Sequence, residues 1–130
     1  MATQVNGPQI VFSAPAGADL SGSQFYFVKW STGTLIACAA VTDVPVGVLQ
    51  NKPTLGMQAE VVALGPTKLN ADAAIAQGAL IGTSADGQAV TKTIGSDTPH
   101  YVCGRALEGC SNAGEIISGI VNCVNPARAA

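Results

Sequence analysis

Short apolar runs alternate with polar positions along this chain, and turn-forming Gly, Pro, Asn and Asp residues interrupt them about every 8–12 residues. Runs of this length and period predict β-strands. Regular spacing of the turns favours a sandwich or barrel over a parallel sheet with helices. The pattern therefore predicts an all-β fold: a small single-domain β-barrel or β-sandwich of about eight short strands.

Two segments carry the same arrangement of residues. Each has an apolar strand with one internal glycine, a polar turn that ends at glycine, and a β-branched strand opened by glutamate. The corresponding residues are Gly47, Gly56 and Glu60 in the first segment and Gly104, Gly114 and Glu115 in the second. Because glycine inside a strand indicates a bulge or a sharp bend, the repeat predicts two related hairpin corners of one small barrel.

Four of the six aromatic residues lie between Gln24 and Trp30. The pattern predicts a strand with aromatic side chains on both faces, Phe25 and Phe27 on one and Tyr26 and Trp30 on the other. We expect one face to join the core and the other to meet a neighbouring molecule or a loop.

Two segments in the middle of the chain differ in how clearly their patterns predict a structure. Residues 70–77 fit either one or two helical turns capped at Asn70 or an extended, alanine-rich crossing. Residues 80–92 predict a hairpin, because Asp86-Gly87 between two strand-like runs suits a type I′ turn.

The two ends of the chain have weaker patterns. Gly, Pro and polar residues surround the apolar patch Ile10-Val11-Phe12, which indicates an extended N-terminal arm, with a frayed terminus as the alternative. Asn125 begins a polar tail. The predicted division is 1–20 for the arm, 21–124 for the β-barrel or sandwich and 125–130 for the tail.

Composition narrows the class of protein. Charged residues make up only 11% of the 130 residues, so much of the surface is weakly polar and is expected to be covered by other protein. A small alanine-rich monomer is the alternative. The net charge of −2 and the scattered basic residues argue against nucleic-acid binding. The absence of a signal-peptide pattern and of an 18-residue apolar run predicts synthesis in a cytoplasm and no membrane partner.

The cysteines do not indicate a metal site. Cys38, Cys103, Cys110 and Cys123 have neither C-x-x-C spacing nor nearby histidine partners. In a reducing cytoplasm we expect free, buried thiols, and a Cys103–Cys110 bridge across the last hairpin is the alternative. The sequence suggests no cofactor.

Candidate catalytic residues are few. Ser96, Asp97 and His100 lie within five residues, but one loop seldom holds a nucleophile and its base in working geometry. Glu60 and Glu115 would need a cleft between them to act as a carboxylate pair, and no pattern provides one. We therefore expect no enzymatic activity.

Several motifs in a fixed order resemble a known family. They are Phe27-Val-Lys, Gly33-Thr, Thr42-Asp-Val-Pro-Val-Gly-Val-Leu-Gln, Glu60-Val-Val-Ala-Leu-Gly, Ala79-Leu-Ile, Asp86-Gly-Gln-Ala-Val, Gly104-Arg-Ala-Leu-Glu and Glu115-Ile-Ile. Over roughly residues 20–121 the chain resembles the capsid decoration, or cement, proteins of tailed bacteriophages, which also occur in bacterial prophages.

The resemblance implies a structural virion protein made in the bacterial cytoplasm. It would bind the outside of an icosahedral head as a homotrimer at three-fold and quasi-three-fold positions and cement neighbouring major capsid subunits after expansion. The interface residues that follow are Ile10, Val11 and Phe12 of the arm and the aromatic anchors Phe25, Tyr26 and Trp30. The alternative is a small β-sandwich that binds carbohydrate or a host surface through Tyr26, Trp30 or Tyr101.

Overall fold

β-strands supply the regular structure of the computed structural model, which describes residues 8–130. The strands are β1 (Ile10–Pro15), β2 (Phe27–Ser31), β3 (Thr34–Ala37), β4 (Gly47–Leu49), β5 (Gln58–Asn70), β6 (Leu80–Thr83), β7 (Ala89–Thr91), β8 (Tyr101–Val102), β9 (Gly104–Ala106), β10 (Ile116–Asn122) and β11 (Ala127–Arg128). They form a curled half-barrel, which confirms the predicted all-β, single-domain class. Within these residues no helix has the length and apolar character to cross a membrane.

The sheet has the order β3-β2-β4-β5-β10-β9-β6-β7, with β1 added to β5 and with β8 and β11 forming a separate pair. Every pairing between these strands is antiparallel. The strand count exceeds the expected eight because several strands contain only two or three residues. Such short elements carry little periodic signal in a sequence.

The central strand β5 runs for 13 residues and changes partners in its middle. Its first half pairs with β1 and β4, and its second half pairs with β10. The change falls at Gly65-Pro66, where Gly65 has a φ of 126°. A side chain there would place its Cβ 2.7 Å from the Pro8 carbonyl oxygen, so only glycine fits. A Gly-Pro pair usually interrupts a strand, but here it lies inside one.

The two repeated segments are antiparallel hairpins, β4–β5 and β9–β10, as the repeat predicts. Their strand glycines do not form bulges, because the pairing register runs through Gly47 and Gly104 without a shift. Each glycine instead lies against a neighbouring strand. An added Cβ would lie 2.1 Å from Val61 Cγ1 at Gly47 and 2.2 Å from the Ile120 carbonyl oxygen at Gly104.

The predicted β6–β7 hairpin is confirmed, with a different turn. A type I′ turn requires a positive φ at both central residues. Gly87 has a positive φ and Asp86 does not, so the turn is not type I′. The Gly87 amide donates to the Ser84 carbonyl, which fits a type I turn followed by a left-handed glycine. Residues 70–77 form no helix and take the extended alternative.

Two apolar clusters lie on opposite faces of β2, β4 and β5. Adjacent residues of one strand, such as Val61 and Val62, belong to different clusters, and successive side chains point to opposite faces. The larger cluster includes Phe27, Val48, Val62, Leu69, Ile81 and Val121. The smaller cluster includes Val28, Leu35, Leu49, Ala59 and Val61. The central strands are thus covered on both sides.

The structure does not follow the boundaries predicted for the two ends. Ile10–Pro15 pairs along β5, and Ala16 and Leu20 are buried, so much of the expected arm belongs to the domain. Residues 1–7 of that arm lie outside the described residues. The expected tail forms β11, and Ala129 is fully buried. At Ala16 and Ala129 the small side chain explains the difference, because alanine gives weak sequence signal yet packs closely against a sheet.

Candidate protein interface

Four of the six predicted interface residues lie on β1 and β2. Ile10, Val11 and Trp30 are about half exposed, and Phe12 is partly buried. Large apolar side chains in this state, on strands that are fixed in a sheet, suit contact with another protein.

Phe12 and Trp30 form what we call the aromatic patch. Their ring centroids are 5.6 Å apart with an interplanar angle of 29°, which is a stacked pair. Phe12 is opposite Val61 on β5, and Trp30 is opposite Leu35 on β3. Because both partners are buried in the smaller cluster, the patch is an outward extension of that core with 49% of Trp30 exposed.

Phe25 and Tyr26 lie apart from the aromatic patch. The predicted aromatic strand begins only at Phe27, which is fully buried. Phe25 has a φ of 68°, its amide donates to the Leu49 carbonyl, and its side chain packs on the larger cluster. Tyr26 is partly buried near the Gly87 turn. Phe25 and Phe27 thus pack on the same cluster, as the sequence predicted, but the strand does not extend to Phe25 or Tyr26.

A second apolar surface was not predicted. A groove of about 560 Å³ runs over the outer side of β10, and we call it the outer groove; Leu64, Leu80, Val102, Arg105, Ile120 and Ala127 contribute to its lining. Ile120 on β10 is opposite Pro66 on β5 and Arg105 on β9, so the outer groove crosses several strands. The sequence signal that could have found it is the adjacent apolar pair Ile120-Val121, because neighbouring side chains of a strand point to opposite faces and one of the two must lie on the outside.

An ion pair lies beside the aromatic strand. Lys29 Nζ is 2.9 Å from Asp43 Oδ2, and the same oxygen accepts from the Ala39 and Ala40 amides. Burial raises the pKa of Asp43, but these amides and Lys29 outweigh it and hold the pKa below its ordinary value. Lys29 alternates with Trp30 along β2, so the ion pair and the aromatic patch take opposite faces.

Of the candidate catalytic residues, the structure brings Asp97 and His100 together. His100 Nδ1 lies 3.0 Å from Lys92 Nζ and 3.7 Å from Asp97, whereas Ser96 is exposed. Glu115 accepts the Ser111 and Asn112 amides. Asp97 and Glu115 each close a turn by accepting backbone amides.

The cysteines behave as core residues. All four are free, and Cys38, Cys103 and Cys123 are buried in the larger cluster, whereas Cys110 is partly exposed. Burial raises the pKa of Cys38 to about 12. A hydrogen bond with Cys103, together with burial, raises the pKa of Cys123. Thiols held in this form are poor nucleophiles. Across residues 8–130 no group of three or more His, Cys, Asp or Glu side chains is placed to hold a metal ion.

Comparison with known proteins gives a likeness to a solved structure. No protein-family model matches the chain, and a search of curated proteins gives no match. Among solved structures, the chain is similar to the head fiber gp8.5 N base of bacteriophage phi29, with a TM-score of 0.64 and 21% sequence identity. The likeness covers 89% of this chain and 96% of that one. At this identity the comparison establishes a shared fold.

Proposed function

We propose that this chain is a structural virion protein of a phage or prophage that binds the outer surface of an icosahedral head. The observation that carries the proposal is the likeness to the base of a phage head fiber, which extends over nearly the whole of both chains. A base that fixes a fiber to a head and a clamp that cements a shell share one physical task, which is binding an assembled capsid lattice.

The sequence motifs support the same class of protein. The segments that resemble cement proteins include β4, the first half of β5, β9 and the start of β10, which belong to the two repeated hairpins. These elements are scaffold, so the motifs support the fold family rather than a binding residue. The contact residues must be sought on the exposed surface.

We place the capsid contact at the aromatic patch and the neighbouring Ile10 and Val11. Tryptophan and other aromatic residues dominate the energy of many interfaces because they bury a large area with little loss of side-chain entropy. Trp30 is half exposed and fixed by Phe12, so little conformational entropy remains to be lost on binding. A standard interface buries roughly 1,600 Å², and this patch would form its centre.

The finer form of the proposal is a homotrimer that bridges major capsid subunits at three-fold and quasi-three-fold positions. One trimer would touch several subunits at once, so individually weak contacts gain from high effective concentration. Because it binds the assembled lattice and not free subunits, it would stabilise the expanded shell by mass action. In this proposal the protein needs no catalytic residue, cofactor, nucleic acid or membrane.

Co-sedimentation with expanded and unexpanded capsids tests the proposal. The wild-type chain should pellet with expanded capsids, and Trp30→Ala should weaken binding by about tenfold or more, the loss expected of an interface hot spot. Ile94→Ala is the matched control, since Ile94 is a comparably exposed apolar residue outside the patch. Sedimentation analysis of the free chain tests the trimer.

Three outcomes would count against the proposal. A monomer that does not bind either form of capsid would overturn it. Equal binding by Trp30→Ala and wild type would reject the aromatic patch as the contact. Binding to glycans without binding to capsids would favour the alternative function, a host-surface module that uses the exposed Trp30 ring.

A further inference from the structure

Residues 125–129 pair with β8 through β11 and are also hydrogen-bonded to the loop that precedes β8. We call residues 125–129 the strap and residues 93–100 the latch loop. The Ala129 amide donates to the His100 carbonyl over 3.0 Å, and the Gly95 amide donates to the Ala129 carbonyl over 2.7 Å. Arg128 Nη2 lies 3.4 Å from the Thr98 carbonyl, and β11 pairs with β8 directly after the loop. The position of the strap therefore depends on the latch loop.

The latch loop is in turn held by a buried cation. Lys92 is only 4% exposed, and its stem lies across Gly82, where an added Cβ would be 3.0 Å from Lys92 Cε. Lys92 Nζ is 3.0 Å from His100 Nδ1. One of these two nitrogens must accept the proton that the other donates, so the contact requires the pair to carry one charge rather than two.

Histidine is the side chain that ordinarily changes charge between about pH 5 and 8. A second proton on the pair would place two cations about 3 Å apart in a site where Lys92 has almost no contact with solvent. Burial, the largest cause, lowers the pKa of Lys92, while Asp97 and Cys103 raise it. The site is thus already unfavourable for one buried charge.

Other charged groups near His100 do not cancel this effect. Asp97 Oδ1 is 3.7 Å from His100 Nδ1 and favours the imidazolium, but its side chain is 32% exposed and its other oxygen accepts the Thr93 amide. Arg128, over the ring of Tyr101, adds positive charge on the strap side. The closer and more deeply buried Lys92 therefore dominates.

We propose that Lys92 and His100 form an acid-sensitive latch whose protonation releases the strap from the latch loop. The closed state binds one proton on the pair, whereas the open state binds two, so the closed state loses stability as pH falls through the histidine range. Because Ala127 of the strap lines the outer groove, opening the latch also removes part of one wall of that groove. This inference does not depend on the proposed capsid function.

Hydrogen exchange at the Ala129 and Gly95 amides measures latch opening directly. After correction for intrinsic exchange rates, protection at both amides should fall by about tenfold or more between pH 7.5 and pH 5.0. The Val121 amide in β10 is the internal control and should keep its protection. Unchanged protection at Ala129 and Gly95 in the wild-type chain would overturn the proposal.

Three variants assign the effect to the pair. In His100→Asn the side-chain oxygen can still accept from Lys92 but does not titrate, so the acid-induced loss should disappear. In Lys92→Met the loss should also disappear, because no second cation remains. In Asp97→Asn the loss should be larger, because removing this carboxylate makes a second positive charge in the closed state less favourable, and this variant leaves both latch residues in place. Loss of protection in the first two variants equal to that of wild type, or no change in Asp97→Asn, would contradict the latch.

Discussion

The β4–β5 and β9–β10 hairpins have similar sequences and similar backbones but differ in what surrounds them. In both, the first strand has a glycine that lies against the second strand, and the turn ends in a glycine of positive φ. At Gly47 the nearest atom to an added Cβ is a side-chain methyl of Val61, whereas at Gly104 it is the Ile120 carbonyl oxygen. The repeat therefore preserves a requirement of the backbone and not a binding site.

The largest expected effect comes from adding a methyl group at the two strand glycines. Gly104→Ala should lower the free energy of unfolding by about 3 kcal/mol or more, because the backbone of β10 must move. Gly47→Ala should cost about 2 kcal/mol, since Val61 can move in part, although the Val62 carbonyl is also only 2.7 Å away. Urea unfolding measures both. Equal losses would remove the distinction between the two hairpins.

The second prediction concerns Asp43, which lies in the loop that leads into β4. The folded-state pKa of Asp43 lies below the ordinary aspartate value of about 3.9, so its contribution is present above that pH and is lost as pH falls below it. Asp43→Asn should cost about 1–2 kcal/mol at pH 7 and progressively less between pH 4 and pH 2.

Urea unfolding of the Asp43→Asn variant and the wild type at several pH values measures that difference. Asp86→Asn is the control, because Asp86 is an exposed residue in the β6–β7 turn. A difference between Asp43→Asn and wild type that stays constant into acid would show that the charge of Asp43 is not what closes the loop before β4.

The repeat also shows which features a sequence can reveal. Strand glycines, turn glycines and β-branched runs predicted both hairpins and the all-β class, because each reflects a local backbone requirement. Partners that are distant in the chain leave no such pattern. The pairing of β1 with β5, the burial of Ala129 and the contact of Lys92 with His100 depend on tertiary packing. Trp30 was identified as a candidate, but its stacking on Phe12 was not.

A smaller effect should distinguish how the turns of the β4–β5 and β9–β10 hairpins are closed. Asn51 closes the first turn with two neutral hydrogen bonds, from its amide to the Gln58 carbonyl and from the Glu60 amide to its oxygen. In the second turn Glu115 Oε2 accepts two amides. Asn51→Ala and Glu115→Ala should each cost about 1 kcal/mol. Glu115→Gln should cost less, since an amide oxygen can still accept both bonds.

Salt is the measurement that separates these turns. High salt should reduce the cost of Glu115→Ala and leave that of Asn51→Ala unchanged, because only the first substitution removes a charge. The same response to salt in both variants would mean that Glu115 acts through its shape alone.

The smallest expected difference tests what the hairpins share. Gly56 and Gly114 have φ values of 84° and 86°, and an added Cβ would meet no atom within 4 Å at either position. Alanine at each should therefore cost about 1 kcal/mol of backbone strain and nothing from packing, and asparagine should cost less. Thermal unfolding of the four variants should give matched pairs. If Gly56→Ala and Gly114→Ala differed by more than about 0.5 kcal/mol, the turns would not be equivalent, and the repeat would extend only to the strand glycines.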